Sequence, residues 1–384
     1  MFVTHLVAQN WRNFKRLDVD LRERQFVVGP NASGKSNLLD IFRFLRDVAS
    51  PNGGGLQKAV KQRGGVSKIR SLAARKDPEI VLEIHLSDGI DTSPRWRYEL
   101  AFTQEVRGKR QTVITREVVW SGKNKIVNRP EPADNSDRER LTQTYLEQIN
   151  VNVEFREITQ FLQNITYLHL VPQLLRFADS IQGRVVENDP FGQGFLERIA
   201  KTPEKTRKAR LRRIQDALKV AVTQLEHLEF VRDKTTGQPH LKALYSHWRP
   251  NAGWQQEDQF SDGTLRLIGL LWSLQEGDSL LLLEEPELSL NAGIVAQLAP
   301  LIHRLQKVRG RQVFVSTHSD ALLNDQGIDG REVLLLMPAT EGTQASVASE
   351  IAEVRALLES GMAVGEVVLP RTTPPQVHEL SSVA

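Results

Sequence analysis

The chain has 384 residues and a mass of 43.4 kDa, a length that predicts roughly two to three folded lobes at about 150 residues per domain. Apolar residues make up 40% and charged residues 25%, as in ordinary globular proteins, and the longest uncharged apolar run, residues 267–274, is far shorter than the ~20 residues of a membrane span. The absence of cysteine excludes a disulfide scaffold, a cysteine-ligated zinc site and thiol catalysis, residues 1–16 lack the pattern of a signal peptide, and together these features predict a cytoplasmic protein that does not interact with a membrane.

The first half of the chain predicts strands, one helix and a helical region. Apolar patterning predicts strands over 2–8 and 17–28, followed by a glycine-rich turn over 29–34. Leucine, isoleucine and phenylalanine then recur at helical spacing from Leu38 to Leu45 and predict a helix. Further on we expect an antiparallel meander, a polar loop and a helical region, over 79–86, 95–104 and 112–120, then 128–138, then 141–166.

The second half alternates helices with short buried strands. A charged segment over 195–227 predicts helix that is interrupted at Pro203. A helix, a strand, a helix and a strand are then expected over 264–275, 279–283, 291–309 and 312–316, before a frayed tail that starts at Pro370. We find no internal repeat and no long heptad run.

A phosphate-binding pattern follows the second predicted strand. Residues 29–36, Gly-Pro-Asn-Ala-Ser-Gly-Lys-Ser, match G-x-x-x-x-G-K-[ST]. Glycines let backbone N–H groups surround phosphate oxygens, and the following helix adds its positive end. Lys35 is expected to reach the β- and γ-phosphates of ATP and Ser36 to ligate Mg²⁺. A chance glycine-rich turn is the structural alternative, which the flanking strand and helix disfavour.

A second pattern is a run of four leucines that ends in Glu284 and Glu285. A continuous apolar run predicts a buried strand, and ligand sites of α/β proteins lie at the carboxyl ends of such strands. Glu284 is expected to hold the Mg²⁺ shell, and Glu285 to orient or deprotonate the attacking water. The alternative is a solvated acidic turn.

Two further motifs flank this acidic strand. Residues 260–266 read Phe-Ser-Asp-Gly-Thr-Leu-Arg, and residues 313–319 form an apolar run that ends in Ser-Thr-His318-Ser. With the phosphate loop and the acidic strand, this order resembles the ATP-binding-cassette heads of SMC, RecF and OLD-like ATPases, in which Walker A, a serine-glycine signature, Walker B, a D-loop and a switch histidine follow one another. Residues 10–15 and the Ser-Asp-Gly-Thr signature also resemble short stand-alone relatives, and the likeness covers about residues 1–340.

The resemblance implies an α/β P-loop NTPase head with an antiparallel β lobe, a compact helical lid and no long coiled coil. It places the N-terminal part of the head in 1–125, the lid in 126–250, the C-terminal part in 251–368 and a flexible tail in 369–384. His318 would sense the γ-phosphate, Glu285 would be catalytic, and 288–291 would be the D-loop. The implied nucleotide-binding residues, the last two acting on the ATP of a second protomer, are Arg12 or Asn13 of the first strand pair, Gly29, Asn31, Ser33, Gly34, Lys35, Ser36, Asn37, Ser261 and Gly263.

The sequence departs from the family pattern at several points. Glu284 stands where Walker B commonly has aspartate, and Asn291 where relatives often have histidine or aspartate. Asp262 replaces a glycine of membrane transporters, which favours the SMC/RecF side over an importer subunit. The glutamine of the Q-loop is not identifiable, and the candidates are Gln57, Gln62 and Gln173. Taken alone, Ser261 is also explained as a helix cap and His318 as a satisfied histidine at a strand end.

Spacing and charge bear on partners. The segment between Lys35 and Ser261 has no heptad region for a coiled-coil arm, and the 66 residues after His318 are too few for the TOPRIM nuclease domain of OLD-like proteins, so any nuclease would be a separate subunit.

Although the net charge is only +3, cations cluster in 48–76 and 201–213, which we call the first and second basic segments. Such stripes predict contact with phosphates of double-stranded DNA; solvated helix faces or a dock for an acidic protein are the alternatives.

These observations predict a Mg²⁺-dependent ATPase that forms a homodimer through an ATP sandwich. Its role would be to regulate DNA binding or a partner effector protein in anti-phage defence or DNA repair. The alternative is an ATP-occupied scaffold with little turnover that holds or inhibits a partner protein. Turnover separates the two hypotheses.

Overall fold

The structure is a computed structural model that describes residues 1–50, 53–105, 110–176, 191–249 and 252–382. It opens with a hairpin of β1 (Phe2–Trp11) and β2 (Phe14–Asp20), then β3 (Arg24–Val28) and α1 (Lys35–Ala49). The prediction of one strand over 17–28 is wrong, because β2 and β3 belong to two different sheets. Apolar patterning alone does not reveal that the chain changes sheet.

The next segment contains the predicted meander. Two short helices, α2 (Leu56–Gln62) and α3 (Val66–Ile69), precede it. The meander is confirmed and gains a fourth strand; its members are β4 (Ile80–Ser87), β5 (Trp96–Gln104), β6 (Thr112–Ser121) and β7 (Asn124–Arg129). The polar loop predicted over 128–138 is wrong, since it holds the end of β7 and α4 (Pro132–Ser136), whose start is capped by Glu131 and Asp134.

The middle of the chain is only partly helical. The helix predicted over 141–166 is confined to α5 (Arg156–Gln163), which is followed by β8 (Thr166–Leu168). The interruption at Pro203 is confirmed, because the charged segment contains two helices and Pro203 is the N-cap of the second one. The elements are α6 (Pro172–Arg176), α7 (Phe195–Lys201), α8 (Glu204–Ala221), β9 (Leu225–Arg232), β10 (Pro239–Tyr245), β11 (Trp254–Gln256) and α9 (Asp262–Gln275).

The last part of the chain follows the predicted alternation of helix and strand. One predicted helix, over 291–309, is two helices. The elements are β12 (Leu281–Glu284), α10 (Ala292–Val295), α11 (Leu298–Arg309), β13 (Val313–Ser316), α12 (Asp320–Leu323), β14 (Val333–Ala339), β15 (Gly342–Val347), α13 (Ala352–Glu359) and α14 (Val364–Thr372). A 3₁₀ turn spans Val377–Ser382 in the predicted tail, whose flexibility stays a prediction.

The chain divides into two compact units. Unit 1 comprises Met1–Thr166, Asp278–Leu282 and Gly310–Ala384, and unit 2 comprises Tyr167–Gly277 and Leu283–Arg309. The boundaries predicted at 125, 250 and 368 stay a prediction. Of the helices in the described ranges, α8 is the longest at 18 residues, so this part of the chain contains no coiled-coil arm. None of the described helices is both long and apolar enough to cross a membrane.

Unit 1 is organised by two sheets. The first has the order β2-β1-β4-β5-β6-β7, and the second has the order β15-β14-β3-β13-β12-β8. In the second sheet β3 pairs in parallel with both β13 and β14, and β15 pairs antiparallel with β14. β3 is buried along its whole length because it lies in the interior of the sheet, between two parallel neighbours.

Helix α1 packs against both sheets of unit 1. Phe42 meets Phe314 of β13 edge-on at a ring distance of 5.3 Å. On its other side Phe44 meets Trp11 of β1 at 5.2 Å and stacks on Phe102 of β5 at 5.4 Å. All five rings are fully buried. Burial of such large apolar surfaces holds the helix that follows the phosphate loop in one position.

Unit 2 has a smaller core around helix α9. The fully buried Trp272 of α9 meets Phe195 of α7 at a ring distance of 6.4 Å. Ile214 and Leu218 of α8 are also fully buried. The strands β9, β10 and β11, which lie wholly in unit 2, form an antiparallel sheet of order β11-β10-β9. Helices α7, α8 and α9 therefore share one apolar core.

A buried ion-pair network fixes the segment after β7 in unit 1. The Arg129 guanidinium lies 2.9 Å from both Glu117 and Asp134, and all three side chains are fully buried. It also lies over the Tyr145 ring, and the Tyr145 N–H donates to Glu117. Burial raises the pKa of Glu117, although Arg129 opposes that shift. Arg129 is therefore the cation that neutralises the buried Glu117 carboxylate.

Arg129→Met is expected to lower the free energy of unfolding by about 3–5 kcal/mol, because it leaves the buried Glu117 carboxylate without a cation and Asp134 paired only with the partly exposed Arg140. Urea denaturation followed by circular dichroism measures this change. The control is Arg16→Met, which removes a cation that is 71% exposed and paired with Asp18, and it should leave the urea midpoint unchanged. Equal midpoints for Arg129→Met and the wild type would contradict the assigned role of the network.

Candidate functional site

The phosphate-binding pattern forms a tight loop between β3 and α1. Gly34 is the N-cap of α1 with φ 101°, a left-handed conformation that favours glycine, and Ala32 has φ 63°. No side chain caps the start of α1, and its first turn has no acidic residue. The first N–H groups of this 15-residue helix therefore face the loop without a competing side-chain acceptor, which suits an anion.

Side chains of the loop divide between its interior and solvent. The Lys35 ammonium donates to the carbonyl oxygens of Gly29 at 3.0 Å and Pro30 at 3.2 Å, and its side chain is buried. Asn31 and Ser36 are exposed, whereas Ser33 is fully buried and its Oγ has no hydrogen-bond partner among the described residues. A Cβ at Gly29 would overlap the Leu336 carbonyl oxygen and lie 2.6 Å from Ser33 Oγ, so this position requires glycine.

The turn between β1 and β2 grips the loop through Asn13. Its Nδ2 donates to the Ser33 carbonyl and to Thr343 Oγ1, both at 2.8 Å, and its Oδ1 accepts from Asn37 Nδ2 at 2.9 Å. Thr343 Oγ1 also donates to the Ser33 carbonyl at 2.8 Å. In addition, Trp11 Nε1 donates to the Asn37 carbonyl at 2.9 Å. The predicted nucleotide residues Asn37 and Ser33 are therefore held by this turn and by β15.

Arg12 lies in the same turn with φ 49° and is held by an ion pair. Its Nη2 donates to Asp40 of α1 at 2.8 Å, and Arg63, which follows α2 directly, binds the same carboxylate and Asp47. Burial would raise the pKa of Asp40, but Arg63, with help from Arg43 and Arg12, lowers it below its ordinary value. Arg12 is thus anchored next to the loop, and a contact with nucleotide stays a prediction.

An open cavity of about 750 Å³ adjoins Asn13 and Asn37 in unit 1. Cations of the first basic segment line it, namely Lys68, Arg70 and Arg75. Arg63 belongs to the same segment in sequence, but its side chain is only 6% exposed and is occupied by Asp40 and Asp47. The first basic segment therefore contains both a structural arginine and surface cations.

The predicted switch histidine lies in unit 1 beside the end of β3. In the parallel pairing of β13 with β3, Ser316 is opposite Val27, and the Thr317 N–H donates to the Val27 carbonyl at 3.2 Å. His318 follows directly and is half-buried. The structure therefore brings the carboxyl end of β13, with His318, next to the strand that leads into the phosphate loop.

The acidic pair lies at the carboxyl end of β12 and belongs to unit 2, with Glu284 as the last residue of the strand and Glu285 directly after it. Tyr167 of β8 donates its hydroxyl to Glu284 Oε2, and Tyr167 itself is buried. This interaction orients the predicted metal ligand. No local pattern in the sequence marks Tyr167 as part of the site, because it lies 117 positions from Glu284 in the chain.

Glu285 has an unusual backbone for its residue type. Its φ of 44° lies in the left-handed region, which is uncommon for residues other than glycine and costs of order 1–3 kcal/mol. Burial lowers the pKa of the neighbouring Arg266 of α9, and the charges of Asp262, Glu285 and Glu287 oppose this shift. Glu285 thus lies near a cation at the point where the chain turns sharply out of β12.

The signature residues begin α9 in unit 2. Ser261 is exposed and is the N-cap of α9, where its Oγ accepts from the Thr264 N–H at 3.1 Å. A Cβ at Gly263 would lie 2.7 Å from the Ser289 carbonyl oxygen, so the predicted D-loop packs directly against the signature. Asn291 caps α10 through the Gly293 N–H at 2.8 Å. Ser261 is therefore a helix cap, as the alternative interpretation predicts. Because Ser261 is also exposed, its position leaves room for contact with a second molecule.

The hydrogen bonds of Gln57 and Gln173 distinguish these two candidates for the Q-loop glutamine. Gln57 donates to the carbonyls of Thr112 and Thr142, both at 2.8 Å, and accepts from the Thr112 N–H, so its amide serves the fold of unit 1. Gln173 is exposed in unit 2 and donates to Asp262 of the signature at 3.1 Å. Gln173 is therefore the better candidate of these two.

The residues present fit a magnesium nucleotide. An uncapped helix start, a lysine beside the loop carbonyls and an exposed serine are the groups that phosphates and their Mg²⁺ require. A carboxylate oriented by a tyrosine hydroxyl is an oxygen ligand of the kind that Mg²⁺ prefers. Among the described residues no cluster of three or more histidine, cysteine or acidic side chains could hold a metal ion by itself.

Comparison with known proteins adds short stretches of similarity. The chain is 39% identical over 62 residues to the DNA replication and repair protein RecF of Roseiflexus castenholzii (strain DSM 13941 / HLO8), a match that covers 16% of either chain. It is 32% identical over 115 residues to the RecF protein of Leptospira interrogans serogroup Icterohaemorrhagiae serovar copenhageni, 30% of either chain. The chain therefore matches less than a third of the length of these curated relatives.

The fold resembles a solved SMC head. The crystal structure of the SMC head bound to the C-winged helix domain of ScpA superimposes with a TM-score of 0.54 and 14% identity, over 90% of this chain and 98% of that chain. This likeness confirms the predicted fold, an α/β head of SMC/RecF type. A protein-family model matches residues 26–324, which include the phosphate loop, the signature, the acidic pair and His318. The chain belongs to the family described as "AAA domain, putative AbiEii toxin, Type IV TA system".

Proposed function

We propose that the protein is a Mg²⁺-dependent ATPase that closes into a homodimer around ATP and so controls its contact with DNA or with an effector protein. The observation that carries this proposal is the arrangement in unit 1. There the phosphate loop and His318 follow neighbouring parallel strands, and Asn13 holds the loop by a hydrogen bond to the Ser33 carbonyl. The family match and the Glu284–Glu285 pair of unit 2 support hydrolysis rather than binding alone.

Each functional group has a distinct task in this proposal. Gly29, Asn31, Ser33, Gly34 and the first residues of α1 would surround the phosphates, and Lys35 would supply the countercharge. Bound Mg²⁺ would neutralise phosphate charge, held by Ser36 and Glu284. Glu285 would orient the attacking water and accept its proton, and His318 would contact the terminal phosphate.

The dimer follows from the exposed signature. Ser261 and Gly263 begin a helix whose first turn faces solvent at Ser261, and the family pattern assigns such residues to the ATP of a second protomer. Each chain would then supply only half of the contacts to each γ-phosphate. Closure would depend on ATP, and hydrolysis would release the two heads.

The relatives indicate a process that involves DNA. RecF is a DNA replication and repair protein, and the SMC head was solved with a domain of its partner ScpA. Lys68, Arg70 and Arg75 around the cavity of unit 1 support contact with the phosphates of double-stranded DNA. A role in anti-phage defence or DNA repair and a separate nuclease or effector subunit are parts of the proposal. A cytoplasmic location fits the absence of cysteine.

The second candidate function is an ATP-occupied scaffold with little turnover. Anchoring of Arg12 by Asp40 and capping by Ser261 favour it, since both residues have structural tasks that need no hydrolysis. Measurement of phosphate release distinguishes the two candidates.

Lys35→Ala is expected to weaken ATP binding by about 10–100-fold, because the phosphates lose a charge-assisted hydrogen bond. Equilibrium binding of ATP and phosphate release, with and without duplex DNA, are the measurements. The control is Lys123→Ala at an exposed position, and thermal unfolding shows that both variants fold. Wild-type phosphate release no faster than that of Lys35→Ala would favour the scaffold.

Glu285→Gln is expected to bind ATP and to accumulate as a dimer, because the amide keeps the size of the side chain but cannot accept the proton of water. Light scattering after size-exclusion chromatography with ATP and Mg²⁺ measures the mass. Adding Ser261→Arg should restore the monomer, whereas the matched change Ser360→Arg at another exposed serine should not. An ATP-loaded Glu285→Gln monomer would refute the ATP sandwich.

Replacing Lys61, Lys68, Arg70 and Lys76 by glutamine is expected to weaken duplex DNA binding at all sequences and to reduce the salt slope by about 1 per lost phosphate contact. Arg63 is left intact because it is structural. The control replaces four cations outside both basic segments, at Arg16, Lys123, Arg138 and Lys234. Equal losses of affinity in the two quadruple variants would mean that the first basic segment is not the DNA contact.

A further inference from the structure

We propose that unit 2 carries a docking groove for an acidic amphipathic helix of a partner protein. The groove, which we call the α8–α11 groove, has a volume of about 450 Å³. Its floor is α9, where Leu267 and Leu271 are 4% and 2% exposed. Its walls are α8 and α11, represented by Val220 and Leu301. The proposal goes beyond the proposed function and does not depend on it, since its argument uses no nucleotide contact.

Apolar side chains continue along both walls into solvent. On α8 Ala217 and Val220 are three residues apart and share one face of the helix, and Val220 is 83% exposed. On α11 Leu301 and Val308 are seven residues apart and share a face, and Val308 is 77% exposed. The apolar last turn of α8 and an apolar stripe along two turns of α11, above a buried floor, match a third helix with leucines at i, i+3 or i+4, and i+7.

The charges at the groove define the partner further. The α11 sequence contains Arg304, Lys307 and Arg309 and no acidic residue. The α8 sequence contains seven lysines and arginines against two acids, Glu204 and Asp216. Arg213 is four residues before Ala217 and therefore shares its face of α8, Arg304 lines the groove, and neither arginine has an ion-pair partner among the described residues. A helix with glutamate or aspartate beside its leucines would supply the missing charges.

Two other occupants fit less well. DNA would satisfy the cations but would leave the leucine floor and Val220 in contact with water or phosphate. A second copy of this chain offers α13, an acidic helix on which Leu357 is 40% exposed. However, α13 has 8 residues against 12 in α11, and its Val354 is fully buried within unit 1. Because Val354 anchors α13 within unit 1, this helix cannot turn its whole apolar face to the groove, and the separate protein helix is the occupant that we propose.

The test uses the full chain and a fluorescein-labelled synthetic helix of 18 residues. The acidic probe has leucines at i, i+3, i+4 and i+7 and glutamates on its other face; a second probe has lysines in place of the glutamates, and a third has the acidic composition in scrambled order. Fluorescence anisotropy is expected to show at least about tenfold tighter binding of the acidic probe than of the other two.

Single substitutions then locate the binding. Val220→Asp is expected to weaken the acidic probe about tenfold or more, and Arg304→Glu should weaken it and strengthen the lysine probe. Both sites are exposed, so the variants should fold, which thermal unfolding checks. The matched controls are Val153→Asp, at a valine that is 63% exposed in unit 1, and Arg138→Glu, at an exposed arginine of unit 1. Neither control should change the affinity.

Three outcomes would overturn the proposal. The first is an acidic probe that does not bind the wild type or binds no better than the scrambled probe. The second is binding that Val220→Asp leaves unchanged. The third is a dimer in light scattering that is lost in both Val220→Asp and Leu357→Asp, which would assign the groove to a second copy of the chain.

Discussion

The amide of Asn13 is the contact on which the phosphate loop depends. It joins the turn between β1 and β2 to the Ser33 carbonyl, to Thr343 of β15 and to Asn37 of α1. The turn itself is held by β1, whose Trp11 packs on Phe44 of α1. A loop of glycines and small residues has little rigidity of its own, since glycine loses much conformational entropy on folding. The antiparallel sheet therefore supplies the preorganisation that the loop lacks.

Close backbone packing explains why glycine stands at the motif positions. Gly29 and Gly263 have no room for a Cβ, the first because of the Leu336 carbonyl and the second because of the Ser289 carbonyl. Gly34 has a left-handed backbone at the start of α1. The same residues that the proposed nucleotide chemistry requires are thus also required by the fold, and their substitution would disturb both. This is the physical reason for testing function at Lys35 and Glu285, whose side chains can be changed without adding volume.

Cations of this chain serve two different purposes. Arg63 and Arg129 are buried between carboxylates, where removal of either partner leaves an unpaired charge. Lys68 lines a cavity of unit 1, and Arg304 lies at the rim of the α8–α11 groove of unit 2. A count of charges along the sequence does not distinguish these four cations. Only burial separates the cations that stabilise the fold from those that can meet a phosphate or an acidic helix.

The sequence by itself determined the α/β class, the meander, the phosphate loop, the acidic strand end and the strand before His318, because each depends on local periodicity or on a motif of adjacent residues. The tertiary structure decided the break between β2 and β3, the role of Asn13, the Tyr167–Glu284 hydrogen bond and the structural use of Gln57 and Arg63. These features depend on contacts between residues far apart in the chain, and no local pattern records which distant side chain will lie within hydrogen-bond distance.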